Sequence, residues 1–184
     1  MHASTRTVGH GLLGAVMLAL VVAAPARAAS TVEKLRPDVE HTLTRFKRTD
    51  RGIARLIEAA AGYAVFPRIG KGGLLIGGAG GSGLVYDRGK IIGVARMSQI
   101  TIGAQVGGQV YSQLILFQNA AALARFKASR FTMSAQTSVI AAAEGASRNA
   151  RWAEGMMVFT LPVQGLMAEA SVGGQRFQFT PASR

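Results

Sequence analysis

Basic side chains crowd one short stretch of this sequence and could bind an anionic group together. The stretch contains Arg45, Lys47, Arg48, Arg51 and Arg55. Residues three or four positions apart share one face of a helix, so several of these cations can act at the same surface. One interpretation is a basic face that touches a membrane, and the alternative is a solvated helix face. Phe46, inside the stretch, fits the buried stripe of that helix better than an interface.

A second basic group is expected from Arg68, Lys71, Arg88 and Lys90. Glycines follow Lys71 directly, and their backbone N–H groups could join its ammonium around a phosphate. The alternative for Lys71 is a hairpin lysine in water. Each basic residue contributes about 1 kcal/mol at an anionic membrane, so five give only millimolar to submillimolar affinity. Tighter binding needs this second group, or an apolar side chain that enters the lipid.

No catalytic or metal-binding signature accompanies these cations. The sequence has no cysteine, and His41 is the one histidine outside the first 28 residues, so the usual zinc and copper ligands are missing. Gly78–Gly83 matches the G-x-G-x-x-G nucleotide pattern, but a helix and an acidic residue about 20 positions later are not expected there. We therefore predict a protein that is not an enzyme and has no cofactor, with a hydrolase as the weaker alternative.

The first 28 residues are typical of a secretory signal peptide. Gly11–Ala24 is uncharged and mostly apolar, and Ala26–Ala28 has the small-x-small pattern of a cleavage site. The apolar run is too short to span a bilayer, which requires about 20 residues, although a retained anchor is the alternative. Cleavage after Ala28 predicts a single domain over 29–184 that is periplasmic or secreted.

The predicted mature chain is strongly basic. Of the 21 Lys and Arg residues, Arg6 and Arg27 fall in the signal segment, which leaves 19 against nine acidic residues and a net charge of +10. Such a charge indicates an anionic partner such as phospholipid or an envelope polyanion, and export argues against nucleic acid. The alternative is that the charge only maintains solubility.

The spacing of apolar residues predicts the helices that position the first basic group. Ser30–Glu33 fits a capping box, and an apolar stripe predicts the helix that follows it. Asp50–Gly52 predicts a break, after which Ile53–Ala61 resumes a helix that Gly62 would end. The stripe consists of Val32, Leu35, Val39, Leu43 and Phe46.

Beyond Gly72 the apolar period changes to two, which predicts strands. Asp87–Lys90 predicts a hairpin turn, and Asn119 is expected to cap a short helix over Ala120–Phe126. Recurrent glycines among Val, Ile and Leu indicate a curved sheet. The later strands are expected at Phe131–Ala142, Met156–Leu161, Gly165–Val172 and Arg176–Phe179. The predicted fold is α+β, with N-terminal helices packed on a curved, mainly antiparallel, barrel-like sheet.

Several motifs, in their order along Leu56–Phe179, resemble the SYLF lipid-binding domain family. They include Val65–Pro67, Lys71–Gly73, Gln105–Gln109 and the closing segment Gly165–Gly174. The resemblance implies binding of phosphoinositides and other anionic lipids through basic residues, and Lys71 is the best match among them. Actin binding, found in some members fused to SH3 domains, is not expected because this sequence has no SH3-like extension.

One position and one segment depart from the SYLF pattern and make this chain more basic. Gln113 stands where the family commonly has an acidic or polar residue, and the often acidic segment before the last glycine repeat is Arg148–Trp152. The predicted function is binding of anionic phospholipid head groups at a membrane surface through clustered Lys and Arg. The alternative is an envelope adaptor that binds another protein or a polyanionic glycan.

Overall fold

The computed structural model describes residues 19–73, 76–128, 132–133 and 139–182. Two helices precede a six-stranded sheet, and two shorter helices lie between its later strands. The elements in chain order are α1 (Ala19–Thr49), α2 (Arg51–Ala59), β1 (Gly62–Gly73), β2 (Ile76–Asp87), β3 (Lys90–Phe117), α3 (Ala120–Lys127), β4 (Thr132–Met133), β5 (Val139–Ala141), α4 (Ala146–Asn149) and β6 (Met156–Pro181).

Helix α1 begins earlier than the sequence predicted. It starts at Ala19, so Ser30 lies inside the helix and the capping-box prediction is wrong. The alanine-rich segment before Ser30 favours helix and lets α1 continue into the predicted stripe. The stripe itself is confirmed, because Val32, Val39 and Phe46 are buried in the core. Helix α1 also crosses the cleavage position predicted after Ala28, and that cleavage stays a prediction.

The break between α1 and α2 is confirmed. Asp50 is the N-cap of α2, and its carboxylate Oδ1 accepts a hydrogen bond of 2.8 Å from the backbone N–H of Gly52. The predicted end of α2 is wrong, since the helix ends at Ala59 and Gly62 is the first residue of β1. A Cβ at Gly62 would lie 2.5 Å from the Tyr86 carbonyl oxygen, so the glycine permits close strand pairing.

The sheet folds back on itself because β3 is long and has two sets of partners. The first part of β3 pairs with β2, and its last part, Gly107–Phe117, pairs with β1. β6 runs antiparallel to β3 from Gly93 to Phe117, and β5 adds a parallel pairing to β6. The predicted α+β class with helices on a mainly antiparallel sheet is confirmed, and the sheet stays open rather than closing into a barrel.

The turn and cap predictions for the middle of the chain are also confirmed. Asp87 pairs with Lys90 across a two-residue turn in which Arg88 has φ 46° and Gly89 φ 79°, as a type I′ hairpin requires. Asn119 caps α3 by accepting a hydrogen bond of 2.9 Å from the Ala122 N–H. Gly78–Gly83 lies wholly within β2, so a helix does not follow it and the nucleotide pattern is excluded.

The C-terminal strands differ from the prediction in their number. The three strands expected between Met156 and Phe179 form one continuous strand, β6. Gly173 and Gly174 lie between two of the predicted strands, but both stay paired with β3. The strand expected over Phe131–Ala142 corresponds to β4 and β5, while residues 131 and 134–138 lie outside the described residues.

Both faces of the sheet carry a hydrophobic core. Helices α1 and α2 cover one face, where Phe46 and Ile53 pack with Leu84, Leu114 and Phe159. We call this the helix face. The opposite face, the inner face, is enclosed by the curvature of the sheet and by α3. Its largest buried side chains are Phe66, Phe117, Phe126 and Phe177.

A small polar cluster lies among the buried groups of the inner face. The Gln113 side-chain amide donates a hydrogen bond of 2.9 Å to the Gln175 side-chain carbonyl oxygen. Gln175 in turn donates to the Gln99 carbonyl oxygen at 3.3 Å and to the Tyr111 hydroxyl at 3.4 Å. Gln113 is therefore a buried residue of the interior and does not contribute to the basic surface.

Candidate functional site

Four arginines from three helices line one open cavity of about 640 Å³. Arg48 is contributed by the last turn of α1, Arg51 and Arg55 by α2, and Arg148 by α4. All four are exposed, and they form the group that we call the arginine cavity. Three of these residues were predicted as a shared basic face, and the structure brings them together.

Asp50 holds together the helices that form the arginine cavity. Its side chain is only 6% exposed, and its Oδ2 accepts a hydrogen bond of 2.7 Å from the Ser147 N–H, while Oδ1 caps α2. One carboxylate thus joins α2 to α4, although Asp50 and Ser147 are 97 residues apart in sequence. This link places Arg148 beside the arginines of α1 and α2.

The electrostatics of Asp50 favour its ionised form. Burial opposes ionisation and by itself would raise the pKa of Asp50. The hydrogen bonds from Ser147 and Gly52 and the positive charge of Arg148 outweigh burial, so the pKa of Asp50 lies below its ordinary value. Because backbone N–H groups already bind the Asp50 carboxylate, it needs no direct ion pair with the arginines of the cavity.

The guanidinium groups of the arginine cavity have no strong internal partners. Within the described part of the chain, none of the four arginines forms an ion pair, defined by a nitrogen within 4.0 Å of a carboxylate oxygen. Glu144 also lines the cavity and is its second acidic residue after Asp50. Four exposed cations against two carboxylates, one of them buried, leave a local excess of positive charge.

Arg45 and Arg68 meet at a smaller cavity of about 160 Å³. Arg45 donates a hydrogen bond of 3.0 Å from Nη2 to the Pro162 carbonyl oxygen, and Asp38 and His41 line the same space. The structure therefore brings one residue of the first predicted group next to one of the second. An acidic neighbour and a backbone partner make this pair less available to an anion than the arginine cavity.

The second predicted group is not one patch. Arg88 lies in the β2–β3 turn and Lys90 follows it, and Arg88 shares a cavity of about 160 Å³ with Lys127. Lys71 lies near the other end of β1, nine residues beyond Gly62, which pairs with Asp87. At about 3.3 Å per residue the two places are about 30 Å apart. Lys47 is exposed on α1 but does not line the arginine cavity.

Arg148 is the residue that sequence reasoning missed. The segment Arg148–Trp152 was recognised as unusually basic, but nothing in it indicated which surface it joins. The information lies in the hydrogen bond between Asp50 and Ser147, a contact between distant parts of the chain. Such a contact leaves no local periodic signal, because it depends on how β5 and α4 follow the edge of β6.

Neither a metal site nor a membrane-spanning helix is found among the described residues. Among them, no three His, Cys, Asp or Glu side chains come together as a metal site. None of the helices within the described ranges combines the length and apolar character needed to cross a bilayer.

The second half of the chain is similar to a known protein family. A family model described as "Ysc84: Las17-binding protein actin regulator" matches residues 98–181, from the middle of β3 to the end of β6. Beta cell expansion factor A from Aeromonas veronii is 29% identical over 124 residues, which is 66% of this chain and 47% of that protein. The chain thus spans about half the length of this curated relative.

The predicted SYLF resemblance is confirmed by these matches. The family match includes Arg148 but begins after Arg48, Arg51, Arg55 and Lys71. Three of the four residues of the arginine cavity therefore lie outside the matched segment, so the family match carries no information about them.

Proposed function

We propose that this SYLF-like chain binds anionic phospholipid surfaces, with the arginine cavity as its head-group site. The observation that carries the proposal is the convergence of four exposed arginines from α1, α2 and α4 on one open cavity. An arginine presents a planar fork of donors that matches phosphate, and several arginines around one cavity suit a head group with more than one phosphate.

Family resemblance supports the same general conclusion. The SYLF family is a lipid-binding family, so lipid binding in general is what the match over residues 98–181 indicates. Anionic selectivity, and a phosphoinositide-like head group in particular, are our proposal from the charge of the cavity. The predicted signal segment supports a target membrane that the protein meets in the periplasm or after secretion.

The expected affinity of the cavity alone is modest. Each exposed cation near an anionic membrane contributes about 1 kcal/mol, so four contribute about 4 kcal/mol. A free energy of this size corresponds to a millimolar dissociation constant. Binding should therefore weaken as salt is added, because the exposed guanidinium groups are screened by ions.

Co-sedimentation with vesicles tests the proposal. The protein should sediment with vesicles that contain anionic phospholipid, remain in solution with neutral vesicles, and be released as the ionic strength rises. Replacing Arg48, Arg51 and Arg55 by glutamine removes about 3 kcal/mol and should weaken binding about 100-fold. Equal binding to neutral and anionic vesicles, or to neither, would contradict the proposal.

A charge-matched variant provides the control. Replacing Arg88, Lys90 and Lys127 by glutamine removes the same three charges from the region of the β2–β3 turn. This variant should lose far less affinity than the cavity variant if the arginine cavity is the site. Equal losses would show that only total charge matters, and circular dichroism would confirm that both variants are folded.

A further inference from the structure

Two large apolar side chains are exposed together near the end of β2 that lies opposite the β2–β3 turn. Ile76 is 70% exposed and Ile100 is 71% exposed. Ile100 pairs with Gly78, two residues after Ile76, so both isoleucines lie on the helix face as diagonal neighbours. Diagonal neighbours in an antiparallel pair are about 7 to 8 Å apart, which allows the two side chains to form one apolar tip.

Glycines surround these isoleucines and leave the surface flat. Gly72 pairs with Gly78, and Gly70 pairs with Gly80 in the next row away from the tip. We call Gly70–Gly72, Ile76–Gly80 and Ser98–Ile100 the open end. A Cβ at Gly70 would meet nothing within 4 Å, and a Cβ at Gly78 or Gly80 would make only ordinary contact with a backbone oxygen. Packing within the chain therefore does not explain these glycines.

Cations lie behind the tip on the same face. Arg176 pairs with Ser98 and is exposed, which places it one row, or about 7 Å, behind Ile100. Arg96 is exposed four residues before Ile100, about 13 Å behind it. Lys71 pairs with Ala79 at the same level on the opposite face of the sheet. The open end thus has an apolar tip with basic residues behind it.

We infer that the open end inserts Ile76 and Ile100 into the apolar layer of an anionic membrane, with Arg176 and Arg96 at the level of the phosphates. The inference deepens the proposed function and rests on it. Interfacial segments bury their apolar face about 5 to 10 Å into the boundary between head groups and acyl chains. The spacing between Ile100 and Arg176 matches that depth.

The backbone at the open end is suited to a dehydrated environment. At the level of Ile100, β3 pairs with β2 on one side and with β6 on the other, through Gly78 and Gly174. Gly78 likewise pairs with Gly72 of β1. Polar backbone groups in a lipid environment must be satisfied within the protein, and this paired end of the sheet meets the requirement.

A second copy of the chain fits the open end less well than a membrane. A twofold dimer places the same patch against itself, so it would bring Arg96 and Arg176 of both copies into one interface. Like charges held together in an interface are destabilising. In an anionic phospholipid membrane, the apolar layer would meet the isoleucines and the negatively charged phosphates would meet the arginines behind them.

Single cysteine variants test the inference, because the natural sequence contains no cysteine. Ile100→Cys, labelled with an environment-sensitive fluorophore, should show a blue-shifted emission with anionic vesicles and should be quenched by nitroxides on the acyl chains. Lys90→Cys, at the β2–β3 turn, is the matched control and should show neither change. Ile76→Asn with Ile100→Asn should weaken vesicle binding about 100-fold, with a loss that added salt does not abolish.

The possible outcomes separate the inference from the proposed function. Vesicle binding without any response of the probe at position 100 would overturn the inference and leave the arginine cavity as the site. A response of that probe to protein concentration alone, together with a dimer by light scattering, would overturn it in favour of a second copy. Failure to bind anionic vesicles at all would overturn both.

Discussion

Neighbouring glycines of β2 serve different purposes on the two faces of the sheet. A Cβ at Gly81 would lie 2.5 Å from the Arg68 carbonyl oxygen, and a Cβ at Gly83 would collide with the Val65 carbonyl oxygen. At Gly80 and Gly78 the same atom would make only ordinary contact. Gly81 and Gly83 are required because the backbone of β1 lies against them on the inner face. Gly78 and Gly80 instead lie on an exposed surface. Glycine content alone therefore does not reveal whether the reason is packing or binding.

Among substitutions that test this difference between glycines, Gly83→Ala should cause the largest loss of stability. Gly83→Ala forces a methyl group into the backbone of β1 and should lower the free energy of unfolding by about 1 to 3 kcal/mol, or more if β1 cannot shift. Urea denaturation of the purified protein measures this loss. A midpoint equal to that of the parent protein would show that β1 and β2 can separate without cost.

The next largest loss of stability is expected at Asp50, which joins α2 to α4. Asp50→Ala removes the cap of α2 and its link to α4, and should lower the free energy of unfolding by about 1 to 2 kcal/mol. Asp50→Asn keeps a capping oxygen but loses the charge. Because the pKa of Asp50 is lowered on folding, the contribution of the charge is present above about pH 4 and is lost as the pH falls through the lowered value. Denaturation of both variants across acid pH tests this.

A smaller effect is expected at high pH on the helix face. Tyr86 is buried and stacks on Tyr63, with ring centroids 4.5 Å apart. Burial, followed by the neighbouring Tyr63 and Glu40, raises the pKa of Tyr86 to about 12. The unfolded chain ionises near pH 10, so stability should fall as the pH rises from about 10 to 12. Ultraviolet titration should show this late ionisation, and Tyr86→Phe should remove it.

The smallest expected effect is at the open end. Gly80→Ala should change the free energy of unfolding by less than about 0.5 kcal/mol, because its Cβ has room and alanine restricts the unfolded chain. Thermal and urea denaturation beside Gly83→Ala make the comparison direct. A loss at Gly80 as large as the loss at Gly83 would show that the open end is packed in solution, for example against another copy.

The sequence predicted the parts of the fold that depend on local patterns. The stripe through Val39 and Phe46, the cap at Asn119 and the turn at Asp87–Lys90 all follow from spacing or from the conformational preference of a single residue. The gap predicted between Val172 and Arg176 was wrong, because Gly173 and Gly174 stay paired with β3. Whether a glycine interrupts a strand depends on its partner strand, which one sequence does not show.

The candidate site was predictable only where its residues are close in sequence. Arg48, Arg51 and Arg55 share one short stretch, so helical spacing placed them together. Arg148 joins them through a hydrogen bond between Asp50 and Ser147, and Lys71 is separated from Lys90 by the length of β1. The open end was missed as well, because exposure of Ile76 and Ile100 depends on where the covering helices stop.

The length of β3 has a consequence for how the chain reaches its native state. Its partner β6 supplies a neighbour along nearly the whole strand, and the pair Gly93 and Pro181 joins residues far apart in sequence. Loops of this size must close before such pairings stabilise the chain, which makes folding slow and leaves strand edges exposed in the meantime. A newly made chain is therefore open to self-association until β6 has paired with β3.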